Sequence, residues 1–251
     1  MIAQFALRLI VGMSAMWAVM PRRDVASGFF RIQMLVTLGL GVFAALTIGQ
    51  TETSGFTRNA IQGLCMAAAG CAFLGSVLWT LERRTGATVV AMMLLGLSVT
   101  ALLFVPLSAE APPGIIALSV LSELSTASLM GGLVAAMLLG HWYLTAPGMK
   151  LRPLSRCNGV LGGFTSARFA LSLTGLFVGG ASLDSQTHWL WLTLRWGAGI
   201  VGPAILIVMV HRILKYRNTQ SATGMLFVGV ILSFIGELSA TLLSAELDVP
   251  F

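Results

Sequence analysis

Apolar runs of membrane-crossing length alternate along the chain with short polar clusters. Cutting at those clusters gives eight predicted helices: 2–20, 32–49, 60–81, 88–107, 114–140, 157–181, 189–211 and 222–245. A bilayer core takes about 20 apolar helical residues per crossing, and each run is close to that length. The pattern predicts an all-α polytopic bundle, a single integral membrane domain over 1–251. The opening Met1-Ile2-Ala3-Gln4-Phe5 carries no basic n-region and its apolar stretch continues to Met20, so it reads as a span and not as a cleaved leader. Four spans precede Pro112-Pro113-Gly114 and four follow, a 4+4 division into halves 1–112 and 113–251. Duplicated halves would be parallel repeats, although Gly28-Phe29-Phe30 before Arg31 has only a loose echo in Gly163-Phe164 before Arg168.

Composition agrees: 57% of residues are hydrophobic, 10% are charged and the mean hydropathy is +0.90, which excludes an ordinary soluble domain. The net charge of +6 reports orientation and not nucleic-acid binding. Eleven of the 15 basic residues fall in alternate connections: Arg22, Arg23 and Arg31; Arg83 and Arg84; Lys150, Arg152 and Arg156; Arg212, Lys215 and Arg217. The other connections hold Arg58 with Glu52, Glu110 and Asp184, while Glu246 and Asp248 sit near the C-terminus. By the positive-inside rule both termini are expected on the non-cytoplasmic side, in the cytoplasmic (inner) membrane of a bacterium. No connection is long enough for an extramembrane domain, the longest running from His141 to Arg156.

Small residues suit close helix packing. Gly39 and Gly41, Ala67-Ala68-Ala69-Gly70, and the GxxxG spacings Gly159/Gly163 and Gly175/Gly179 are the expected contact points. Gly197, Gly199, Gly202 and Pro203 make the seventh span the one expected to be kinked or irregular, since proline removes a ladder hydrogen bond.

Five ionisable residues fall inside the spans: Arg8, Glu123, Arg168, Arg195 and Glu237. Each would cost about 2.5–3.5 kcal/mol facing lipid at a helix centre, so they are expected to point inward and cluster in the central and outer part of the bundle. Helical spacing adds Ser119, Ser122 and Thr126 around Glu123, Thr165 and Ser172 around Arg168, and Ser233, Thr241 and Ser244 around Glu237. The triplet Glu-Leu-Ser recurs at 123–125 and 237–239. Such residues either tie helices together or line a polar cavity that binds a headgroup, ion or proton.

His141 and His211 end two spans on one side and are the single pair suited to bis-histidine haem b ligation, while both also fit an interfacial belt. His188 lies at the opposite surface. Cys65, Cys71 and Cys157 have no CxxC or Cys/His spacing that closes a metal site and read as packing residues. GxxxxGK[ST], HExxH and GxSxG are absent, which weakens the ATPase, metalloprotease and serine-hydrolase readings and leaves any catalytic residue unassigned.

Arg195 with Gly199 and Pro203, then Ala222-Thr223-Gly224 leading into Gly236-Glu237-Leu238-Ser239, resembles the membrane anchors of the polysulfide and dimethyl-sulfoxide reductase type. The likeness covers mainly 189–245, with the first half contributing topology. It implies an anchor without its own redox metal, a quinol site near the outer face, and an iron–sulfur partner subunit. Glu237 and Arg195 then become candidates for handling the quinone headgroup or its protons. The same materials would serve a transporter or permease of small molecules or ions, or a structural or assembly subunit locked by its charges. In each case the lipid bilayer and other membrane or redox subunits are the expected partners.

Overall fold

The computed structural model describes residues 2–50, 55–107, 111–146, 148–179 and 185–247. The acidic residues Glu52, Glu110, Asp184 and Asp248 used for orientation lie outside them. The described chain is helical: α1 Ile2–Val19, α2 Ser27–Thr47 with a 3₁₀ turn Ile48–Gln50, α3 Gly55–Thr80, α4 Arg84–Leu107, α5 Pro113–Thr145, α6 Arg152–Gly179, α7 Gln186–Trp196, a π-helical segment Gly197–Val201, α8 Gly202–Lys215 and α9 Thr219–Leu247. The stretch α7 to α8 forms one span, so eight helical stretches are long and apolar enough to cross a membrane.

Helices prevail because a backbone in hydrocarbon must satisfy its own hydrogen bonds. Hydroxyls inside the spans do the same locally: Ser14 donates to the Ile10 carbonyl at 2.6 Å, Thr37 to that of Gln33 at 3.2 Å and Thr165 to that of Leu161 at 2.9 Å. Proline sits at the first turn of α5, where its missing N–H costs nothing. The Ser185 hydroxyl caps α7 by accepting from the His188 N–H at 3.1 Å. Glu82 and Arg217, both with left-handed backbone (φ 55° and 57°), turn the chain between α3 and α4 and between α8 and α9.

Two expectations change. The stretch read as the longest connection is mostly helix: α5 continues through His141-Trp142-Tyr143 to Thr145 and α6 begins at Arg152. Nothing in 141–145 breaks a helix, and the break comes at Ala146 (φ −129°, ψ 71°), which leaves the helical region just before Pro147. Gly159 and Gly163 are not close-packing points within the chain, since a Cβ on either would meet nothing within 4 Å. The same is true of Gly39 and Gly70, whereas a Cβ on Gly41 would touch Ala69 at 3.3 Å.

The tight crossings are elsewhere. A Cβ on Gly12 would lie 1.8 Å from the Ala127 carbonyl oxygen, and one on Gly131 would lie 2.5 Å from that of Leu9, so α1 and α5 touch backbone to backbone. A Cβ on Gly236 would lie 2.1 Å from Gly199 Cα, so α9 touches the π-helical segment equally closely. The irregularity expected in the seventh span is that segment, where the Gly202 N–H reaches back to the Gly197 carbonyl just ahead of Pro203. Away from these crossings, toward the end that carries the basic connections, the core is aromatic: Trp17, Phe29, Phe30 and Trp79 are buried, with Phe30 and Trp79 stacked at 4.5 Å. Phe56, Phe73, Leu46 and Leu238 are exposed on the outer surface of the bundle, as expected of side chains that meet lipid tails.

Candidate polar centre and cavity

The α1–α5 and α9–π-segment crossings bring the five intramembrane charges into two adjoining groups. On α1, Arg8 lies one turn before Gly12, which allows α5 close enough for Glu123 to be gripped as a fork: Nε to Oε2 at 2.8 Å and Nη2 to Oε1 at 2.6 Å. Gln4, one turn earlier on the same face, donates to Glu123 Oε1 at 2.9 Å. The remaining arm of Arg8, Nη1, reaches Thr241 Oγ1 on α9 at 3.4 Å, the longest of its bonds and the easiest to exchange.

The second group centres on Glu237. Its Oε1 accepts from Arg195 Nη1 at 2.5 Å and Arg168 Nε at 3.2 Å, and its Oε2 accepts from Thr126 Oγ1 at 3.3 Å and Arg168 Nη2 at 3.5 Å. Arg168 Nη1 also donates to Ser122 Oγ at 2.8 Å, and Arg195 Nη2 to Ser172 Oγ at 2.8 Å. Arg195 lies one turn before Gly199, whose lack of a side chain leaves room for the guanidinium, since a Cβ there would sit 3.1 Å from Arg195 Nη1.

Exposure separates the groups. Side-chain exposure is 1% for Arg168 and Arg195 and 4% for Glu237, but 12% and 13% for Arg8 and Glu123. The two inner guanidiniums are sealed, while Arg8 and Glu237 border open space. That space is a cavity of about 350 Å³ between α1 and α9, with Ile2, Phe5, Phe234 and Leu238 as apolar walls and Gln4, Arg8, Glu237 and Thr241 supplying the polar part. Phe5 and Phe234 meet edge to face at 5.1 Å. Ile2 and Leu238 are 56% and 62% exposed at the bundle surface, which makes the mouth apolar. The cavity joins a lipid-like wall to hydrogen-bonding groups of both kinds, which suits an amphipathic molecule with a polar head.

All five charged residues singled out in the sequence therefore meet, with Ser122, Thr126, Ser172 and Thr241 from the predicted stripes in direct contact with them. Thr165 instead bonds its own helix backbone, and Ser233 is buried with its Oγ lacking a protein partner. Gln4 was missed as a site residue, though its spacing of four from Arg8 is the signal that would have found it. His141 and His211 are exposed near the ends of α5 and α8. His188 pairs with Glu246 at 2.6 Å near the ends of α7 and α9. Cys65 and Cys157 are buried, Cys71 is half-buried, and no cluster of three or more metal-ligating residues forms among the described residues. No family model, curated protein or solved structure matches the chain.

Proposed function

We propose that the chain is the membrane-anchor subunit of an electron-transfer complex and that the α1–α9 cavity receives a quinone or quinol headgroup. The observation that carries this reading is the cavity itself: apolar walls, an apolar mouth at the bundle surface, and a cationic donor, a carboxamide, a hydroxyl and a carboxylate within it. A quinone oxygen needs a donor, which Arg8 and Gln4 supply. A quinol hydroxyl needs an acceptor, which Glu237 and the Thr241 oxygen supply. The resemblance of 189–245 to the polysulfide and dimethyl-sulfoxide reductase anchors points the same way. The proposal includes the 4+4 division and, from the positive-inside pattern, both termini outside the cytoplasm of a bacterial inner membrane; the resemblance implies an iron–sulfur partner beside the outer face.

A structural role is supported for part of the centre. Arg168 and Arg195 are sealed and both donate to Glu237, so two guanidiniums and one carboxylate tie α6, α7 and α9 together. Arg168 and Arg195 are on this reading positioning residues, which hold the Glu237 carboxylate at the edge of the cavity.

The test is quinol-dependent turnover in membranes with Gln4→Leu and Thr241→Val, each near-isosteric and each removing one polar group from the cavity. We expect normal protein content with quinol affinity weakened roughly five- to tenfold, the effect of losing one hydrogen bond of about 1–1.5 kcal/mol. Unchanged affinity in both variants rules the cavity out as the headgroup site.

A further inference from the structure

At the opposite end of the bundle, the α5–α6 connection and the α8–α9 turn enclose a second cavity of about 510 Å³, bordered by Tyr143, Met149, Lys150, Leu151, Arg217 and Thr219. It differs from the α1–α9 cavity in that polar groups make up about half of its lining, and it is far larger than the roughly 30 Å³ share of a single water. Its walls are held in place. The Tyr143 hydroxyl donates to the Lys150 carbonyl, tying the connection to the end of α5. Arg217 takes its left-handed conformation to let α9 start at Thr219, and Asn218 Oδ1 accepts from the Ser221 N–H at 3.0 Å. Lys150 is 76% exposed at its side chain and has Asp24 as a partner at 3.2 Å. The described residues of this end are strongly basic, with only Asp24 and Glu82 against the eleven arginines and lysines of the four connections.

From this we propose that the cavity is a binding site for a phosphate-bearing headgroup of an anionic phospholipid. Lys150 and Arg217 approach it from two different connections, a hydroxyl is present at Thr219, and the first turn of a 29-residue helix opens beside it with its partial positive charge. Basic pockets between spans at a membrane surface select such headgroups because the phosphate meets several donors at once while its acyl chains stay in the bilayer. Tyr216, 85% exposed at the end of α8, stands at the position where aromatic rings anchor to the headgroup layer. The site is independent of the quinone reading and of which side of the membrane it faces.

The experiment uses the full chain purified in a neutral detergent. Retained lipid is counted by native mass spectrometry, and thermal unfolding is followed with added phosphatidylglycerol, phosphatidylcholine or inorganic phosphate. Wild-type protein should retain phosphatidylglycerol and be stabilised by it but not by phosphatidylcholine. Lys150→Gln and Arg217→Gln should each weaken that binding roughly fivefold, as expected for one cation near an anionic headgroup. Arg83→Gln, the same charge change at a connection outside the cavity, should leave it unchanged. Asp24→Asn should keep or strengthen binding because it frees Lys150, and it separates loss of the ligand site from loss of the Lys150–Asp24 bridge. Stabilisation by inorganic phosphate equal to that by phosphatidylglycerol would overturn the lipid assignment in favour of a free phosphate. Equal losses in Arg83→Gln and the cavity variants, or failure of Asp24→Asn to bind, would overturn the site.

Discussion

Gly236→Ala puts a methyl carbon 2.1 Å from Gly199 Cα and 2.4 Å from its backbone nitrogen. Carbon atoms in contact normally lie about 3.5–4.0 Å apart, so α9 and the π-helical segment must part by about 1.5 Å. No flexible side chain can give way there, because the obstructing atoms are backbone. The next residue is Glu237, whose 2.5 Å bond from Arg195 crosses the same interface, so the separation also stretches that bond beyond hydrogen-bond reach. Overpacking costs about 1–3 kcal/mol and a hydrogen bond between charged groups about 1.5–3 kcal/mol. Together they far exceed the 0.5–1 kcal/mol that alanine gains over glycine in a helix. Tryptophan-fluorescence unfolding of the purified protein should show a midpoint lowered by on the order of 10 °C. Gly224→Ala, on the same helix with nothing within 4 Å of the new methyl, should be neutral or slightly stabilising. If Gly236→Ala is tolerated as well as Gly224→Ala, the close approach of α9 to the π-helical segment is wrong.

Other outcomes follow from the same geometry. Glu237→Gln should cut protein content in membranes sharply, because leaving the sealed Arg168 and Arg195 without their shared carboxylate costs about 3–5 kcal/mol, while Arg195→Met should cost less because Glu237 keeps its pair with Arg168. Arg8→Lys keeps the charge but loses the fork on Glu123, and it should leave the protein folded while weakening quinol affinity by about an order of magnitude. Reporters in the Arg83–Arg84 and Arg212–Arg217 connections should be cytoplasmic and tags at both termini external; a cytoplasmic C-terminus would contradict the proposed orientation. His188→Gln, which alters a pair whose Glu246 side is 52% exposed, should change stability by less than about 1 kcal/mol.

The spans were legible because hydrocarbon leaves the backbone few alternatives: length and polar punctuation suffice to find eight helices. The meeting of Arg8, Glu123, Arg168, Arg195 and Glu237 was legible for a related reason, since isolated charges have nowhere else to go. Their partition was not. Nothing in the sequence distinguishes Arg8, which borders open space, from Arg195, which is sealed, because that depends on which helices flank each one. The crossing glycines were only partly legible. GxxxG spacing drew attention to Gly159 and Gly163, which meet nothing, whereas the true contacts pair single glycines from helices distant in sequence, Gly12 with Gly131 and Gly199 with Gly236. Local spacing along one helix carries no information about the partner's small residue. The break in the seventh span was visible because Gly202-Pro203 perturbs its own backbone.

The central claim is that a quinone headgroup sits between α1 and α9, and photolabelling with a short-chain azidoquinone tests it most directly. The account predicts label on the peptides carrying Ile2 to Arg8 and Phe234 to Thr241, competed away by unlabelled quinone and reduced when Phe234→Trp fills the cavity. Competable label confined to other helices, or label on these peptides that excess quinone does not displace, would contradict it.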